Sequence, residues 1–144
     1  MSSNSSGAER RVAPLLAASF EVLAREQPEA YARMCSRLEG LAVALRVEEE
    51  HFAATFSAHR AHVGALTGQE MAQVATRGSA LLDILDARQT LAEAVLADAV
   101  EVVGPLDTLL RLQEGLLLYV QGAVRCPGFA LLLRRLRNAC APGA

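Results

Sequence analysis

Between Met71 and Val120 apolar residues recur at alternating steps of three and four, and this repeat constrains the chain more than any other feature. Of the fifteen positions reached by that stepping, only Gly78, Arg88 and Gln113 are not apolar. Such spacing keeps side chains on one face of a helix. A neighbouring row of Leu82, Leu96, Val103, Leu110 and Leu117 is apolar too, so the stripe is wider than a two-stranded seam needs. The pattern predicts a nearly continuous helix over residues 68–124, kinked at Gly104–Pro105 and packed against at least two others.

Shorter repeats extend the same reading. Val12, Leu15, Leu16, Ser19, Phe20 and Leu23 predict a first helix from Arg10 to Glu26, ended by Pro28, which has no backbone donor. Tyr31, Met34, Leu38, Leu41, Leu45 and Phe52 predict a second from Glu29 to Val63. In the segment GALTGQE, Gly64 to Glu70, Thr67 has the spacing to Glu70 of a capping box for the long helix. Cys126–Pro127–Gly128 ends that helix, and a short basic one follows from Phe129 to Asn138. Apolar residues are 52% of the 144, with aromatics only 4%, so the core consists mainly of Leu, Ala and Val, and Leu and Ala form helices readily. The expectation is an all-α chain: one helical domain over residues 10–140, arranged as an antiparallel bundle or an elongated coiled-coil-like assembly, with tails at 1–9 and 141–144.

The formal charge is −2, and all fourteen basic residues are arginine. Without a basic excess, nucleic acid is not an expected partner. Charge is nonetheless uneven. Asp83, Asp86, Glu93, Asp98, Glu101 and Asp107 face only Arg88 in the middle of the chain, whereas no acid follows Glu114. The four arginines of that last stretch, Arg125, Arg134, Arg135 and Arg137, are candidates for contact with an anionic surface. The plainer reading is that they solubilise the polar face of the last helix.

Cys35, Cys126 and Cys140 are an odd number without a CxxC pair, which fits free thiols in a reducing compartment. The N-terminal residues show no secretory pattern, and the apolar window 115–133 is interrupted by Gln121, Arg125 and Pro127–Gly128. A cytoplasmic location, with peripheral membrane contact as its variant, is the expectation. Glu48 and His51 form half of a Glu-x-x-His metal pair, but the remaining histidines, His59 and His62, do not supply the second half. His59 has the helical spacing of a phosphotransfer histidine without the accompanying lysine. No catalytic, cofactor or metal site is expected, and no small-molecule substrate.

Phe52 and Phe56 in HFAATFSAH, Leu66 and Glu70 in the following turn, then Pro105–Leu106, Tyr119 and Val124 occur in an order that resembles the BAR domains of sorting nexins and arfaptins. The resemblance spans about residues 30–126. It implies a non-catalytic helical scaffold associated with membrane trafficking. The alternatives are a helical chaperone or adaptor that holds a partner's amphipathic helix, and a small metal-binding bundle. Burial of Leu82, Leu96, Val103, Leu110 and Leu117 against a second copy, giving a homodimer, or against another helical protein is expected. Leaving such a row wet costs several kcal/mol at about 25 cal/mol per Å2.

Overall fold

The computed structural model describes residues 12–85, 88 and 90–140, so the terminal tails expected at 1–9 and 141–144 lie outside the described residues. The chain is a mixed α/β fold. Helix α1 (Val12–Glu26) and α2 (Pro28–Leu38) lead into strands β1 (Ala42–Val47), β2 (Glu50–Phe56), β3 (Ala61–Gly64) and β4 (Ala72–Thr76). Helices α3 (Gly78–Leu85) and α4 (Leu91–Leu96) precede β5 (Val100–Val103), and α5 (Leu106–Ala123) and α6 (Pro127–Cys140) close the order. The strands form one sheet in the order β3-β2-β1-β4-β5. Its pairs are antiparallel except β1 with β4.

The all-α expectation is therefore wrong, and so are the bundle and coiled-coil arrangements. The second predicted helix stops at Leu38. Pro28 occupies its first turn, where the missing donor is harmless. Gly40 ends it with φ of +84°, a conformation that glycine adopts without steric cost. Beyond this stop the spacing of two takes over. Val43, Leu45 and Val47 lie on the same side of the sheet as Phe52, Ala54 and Phe56, as the register Val43↔Ala54 and Leu45↔Phe52 requires. Leu41, Leu45 and Phe52 also stand at helical spacings of four and seven, and the alanines at 42, 44, 53 and 54 between them interrupt neither period, which is why stepping by three and four ran on through this stretch.

The long third helix is likewise replaced by β4, α3, α4, β5 and α5. Gly104–Pro105 is a boundary and not a kink. Gly104 leaves β5 with φ of +159°, where a Cβ would stand 3.0 Å from Ala72 Cβ, and Pro105 is the N-cap of α5. Thr67 and Glu70 make half of the expected box, since Thr67 Oγ1 accepts from Gln69 N and not from Glu70 N. The Glu70 carboxylate accepts from Thr67 N at 2.8 Å and from Gly68 N at 3.0 Å. They close a loop before a strand, however, and cap no helix. A true capping box lies at Thr90–Glu93, at the start of α4.

The inward face of the sheet and the helices enclose the core. Leu23, Met34, Cys35, Leu38 and Phe129 pack between α1, α2 and α6, while Val12, Val47, Phe52 and Leu136 join α1 and α6 to the sheet. On the opposite face Arg46, His51, His62, Gln73 and Glu101 are exposed. Two carboxylates tie helix starts to the sheet. The buried Glu50 of β2 accepts from Val12 N at 2.8 Å and Ala13 N at 2.7 Å, placing negative charge at the positive end of α1. Glu48, in the left-handed conformation with φ of +57°, accepts from Gly78 N at 2.7 Å at the start of α3. That bond and Glu48 N donating to Thr76 O hold an otherwise unfavourable turn.

Candidate functional site: an apolar cavity

Between the sheet and the helices lies a cavity of about 210 Å3. Strand alternation supplies its floor: Leu45, Phe52, Ala54, Val74 and Val102 all point inward. Its roof comes from four helices, through Leu16 and Phe20 of α1, Leu38 of α2, Leu116 of α5 and Leu132 of α6. A helix contributes an apolar stripe and a strand an apolar alternate row, so facing rows converge on one space. Ala54 is short beneath it, and above it Gly115 lets Leu38 pack against α5, where a Cβ would stand 2.5 Å from the Leu38 side chain.

Few polar groups reach this wall. The Tyr119 hydroxyl donates to Ser19 Oγ at 2.6 Å, and Ser19 Oγ donates to Leu16 O at 2.6 Å. Burial pushes the Tyr119 phenol up to about 12, against a smaller lowering by the Ser19 hydrogen bond. Edge-on aromatic contacts pack the same end: Tyr119 lies 5.7 Å from Phe20 and 5.7 Å from Phe129 between ring centroids. Arg46, Thr76, Val100 and Val102 also line a separate polar depression of about 550 Å3. Glu48, Glu49, Arg77, Asp98 and Glu101 line that depression.

This arrangement can hold an apolar chain with a polar end but is poorly suited to bond-breaking chemistry. Ser19 and Tyr119 satisfy each other, with no base beside them. Cys35 and Cys126 are free and buried. Burial raises the pKa of both thiols, with Glu26 adding to the rise at Cys126, so neither is an activated nucleophile. The side chain of Cys140 falls outside the described set. Among the described residues no group of three or more His, Cys, Asp or Glu could hold a metal ion. Glu48 and His51 flank a strand turn, and His59 lies in the β2–β3 loop. The helical spacings read for them do not exist.

The predicted interaction row is dispersed by the fold. Leu82 is half-buried on α3, whereas Leu96 on α4, Val103 on β5, and Leu110 and Leu117 on α5 are exposed. Arg125, at the α5–α6 corner, and Arg134, Arg135 and Arg137 on α6 are all exposed. The cavity residues themselves went unrecognised. Ser19 enters only the stripe of the first helix, and Tyr119 only the BAR-like order of residues. The usable signal was the alternation Val43–Leu45–Val47 and Phe52–Ala54–Phe56 after the Gly40 stop.

No protein-family model and no curated protein matches the sequence. Solved structures do resemble the fold. A UbiJ-SCP2 ubiquinone synthesis protein superposes with a TM-score of 0.57 at 23% identity, over 74% of this chain and 96% of that one. Two weaker likenesses add nothing to it. One is a possible sterol carrier protein from Thermus thermophilus, with a TM-score of 0.47 at 16% identity over 88% of this chain and 90% of that one. The other is a sterol carrier protein 2, with a TM-score of 0.44 at 18% identity over 83% of this chain and 94% of that one. The BAR resemblance is overturned, because its residues Phe52 and Phe56 lie on a strand and Leu66 and Glu70 in a loop between strands. With it falls the helical trafficking scaffold. The chain has the mixed α/β fold seen in that UbiJ-SCP2 ubiquinone synthesis protein.

Proposed function

We propose that the chain is a non-catalytic carrier that binds one long-chain amphiphilic lipid in the cavity between sheet and helices. The observation that carries this reading is the cavity itself. Interiors are otherwise close-packed, so leaving this half-open apolar space empty costs its lining the contacts that neighbouring atoms would give. An apolar ligand removes that cost by supplying the missing contacts. Because the space is half-open, the ligand's head has a place outside the apolar walls. The solved structure that shares the fold is described as a ubiquinone synthesis protein. The protein works in the cytoplasm without a cofactor, and nucleic acid is not its partner.

The test is native mass spectrometry of the purified chain for co-purified lipid, with displacement of a fluorescent fatty acid as the solution assay. Leu116→Trp fills the cavity from α5 and should weaken probe binding at least tenfold while circular dichroism stays unchanged. A wild-type chain that carries no lipid and binds no probe would sink the reading.

A further inference from the structure

Helix α6 has two unlike faces. Phe129, Leu132 and Leu136 are buried, and Leu132 and Leu136 line the cavity. The outer face presents Leu131, Arg134 and Arg135, spaced three and four apart and therefore adjacent on the helix. Leu131 is 51% exposed, and Val124, beside Arg125 at the corner into α6, is 67% exposed. The α5–α6 corner bends by 111°, and among the described residues no single helix is long and apolar enough to cross a membrane.

The charges around this face are one-sided. No acid follows Glu114 in the sequence, and among the described residues no acid pairs with Arg125, Arg134 or Arg135. Of the acids on the neighbouring α1 and α3, Glu21 is exposed and two others have partners, one of them on α6 itself. Glu26 of α1 accepts from Gly128 N at 3.2 Å, and Asp83 of α3 faces Arg88 at 3.8 Å. What remains is exposed aliphatic side chains among arginines on an otherwise acidic protein.

We infer that this face, the outer side of α6 with the Val124–Arg125 corner, docks on a bilayer bearing anionic headgroups. Arginines near such a surface are each worth about 1 kcal/mol, or about fivefold in partitioning. Val124 and Leu131 then reach the headgroup boundary, as the apolar residues of an interfacial helix do. A mostly protein partner would be expected to bring acids to a flatter patch; aliphatic groups mixed with arginines suit lipid better. In purpose the inference rests on the lipid-carrier reading: the docking helix is also a wall of the cavity, so lipid leaving the bilayer meets the element behind which it is stored.

The test is co-flotation of the full chain with phosphatidylcholine vesicles, with and without phosphatidylglycerol. The chain should float with anionic vesicles, float poorly with neutral ones, and be released as salt screens the charges. Arg134→Gln with Arg135→Gln should lower partitioning about thirtyfold, and Leu131→Gln should lower it without changing the salt dependence. Fluorescent fatty acid displacement without vesicles, run on each variant, shows that the fold and cavity survive. Equal binding to neutral vesicles, or no effect of the arginine pair, would overturn the inference. Binding to no vesicle would overturn it too, leaving the arginines to an acidic protein. Anionic docking by a chain that binds no fatty acid would instead sink the carrier reading alone.

Discussion

The hydroxyl of Tyr119 donates a 2.6 Å hydrogen bond to Ser19 Oγ, joining α5 to α1 across 100 residues of sequence. Both residues are buried, and burial holds the Tyr119 phenol up at about 12. A raised folded pKa favours the neutral form. Its contribution to stability is full below the unfolded value of about 10 and is lost as pH rises through the folded value. Tyr119→Phe should cost about 1 kcal/mol at neutral pH. It should also flatten the loss of stability above about pH 10 in denaturant titrations, leaving the contributions of Tyr31, Cys35 and Cys126, whose pKa values burial also raises. An equally steep loss in wild type and variant would show that the pair is not responsible.

Glu50 accepts from both Val12 N and Ala13 N, so one buried carboxylate serves the first two described donors of α1. Glu50→Gln puts an amide where two acceptor oxygens stand. We expect a loss of about 1–3 kcal/mol, read as a lower urea midpoint at an unchanged slope. A midpoint equal to that of wild type would mean that water replaces the carboxylate without cost.

Gly122 lets α5 approach α1 and α2 closely. A Cβ there would stand 2.6 Å from Leu23 Cδ1 and 2.9 Å from Ala30 Cβ. Leu23 is fully buried and has no room to withdraw. Gly122→Ala gains about 1 kcal/mol of helix propensity but overpacks the seam by about 1–3 kcal/mol. A net fall in Tm on thermal melting is therefore expected, and a rise would show that the seam yields.

Leu110 and Leu117 stand one heptad apart on the outer face of α5, 51% and 57% exposed. A second copy of the chain is the expected cover, since closed two-fold pairs are the commonest homo-oligomers. Light scattering at micromolar concentration should return about twice the 15.3 kDa chain mass. Leu110→Glu with Leu117→Glu should return a monomer that keeps its circular dichroism. A wild-type monomer at every concentration would show that the row is simply wet.

Much of the outer architecture is written locally. Pro28 starts α2 and Gly40 stops it, Pro127 opens α6, and the stripe from Val12 to Leu23 specifies α1, because turns and helix ends depend on residues a few positions apart. The arginines of α6 are exposed, as their place opposite an apolar stripe implied. The sheet was not legible in the same way. The Ala-rich stretch from Ala42 to Ala54 satisfies periods of both 2 and 3.6, and the helical repeat through Met71, Val74 and Leu81 runs across a strand and into a helix.

What decided those segments is pairing at a distance: β1 is held between β2 and β4, and its ladder partners lie up to about thirty residues away. A strand has no internal hydrogen bonds and exists only where such partners meet it, so local propensity could not reveal it. The cavity is further still from the sequence. It is the volume left between the inward face of the sheet and the helices, and no residue encodes a space. By itself the sequence determined the first and last helices, Val12–Glu26 and Pro127–Cys140, and that the last would carry an exposed basic face. Tertiary structure alone decided that the apolar residues would surround a void, because a void is defined by surfaces that only packing brings together.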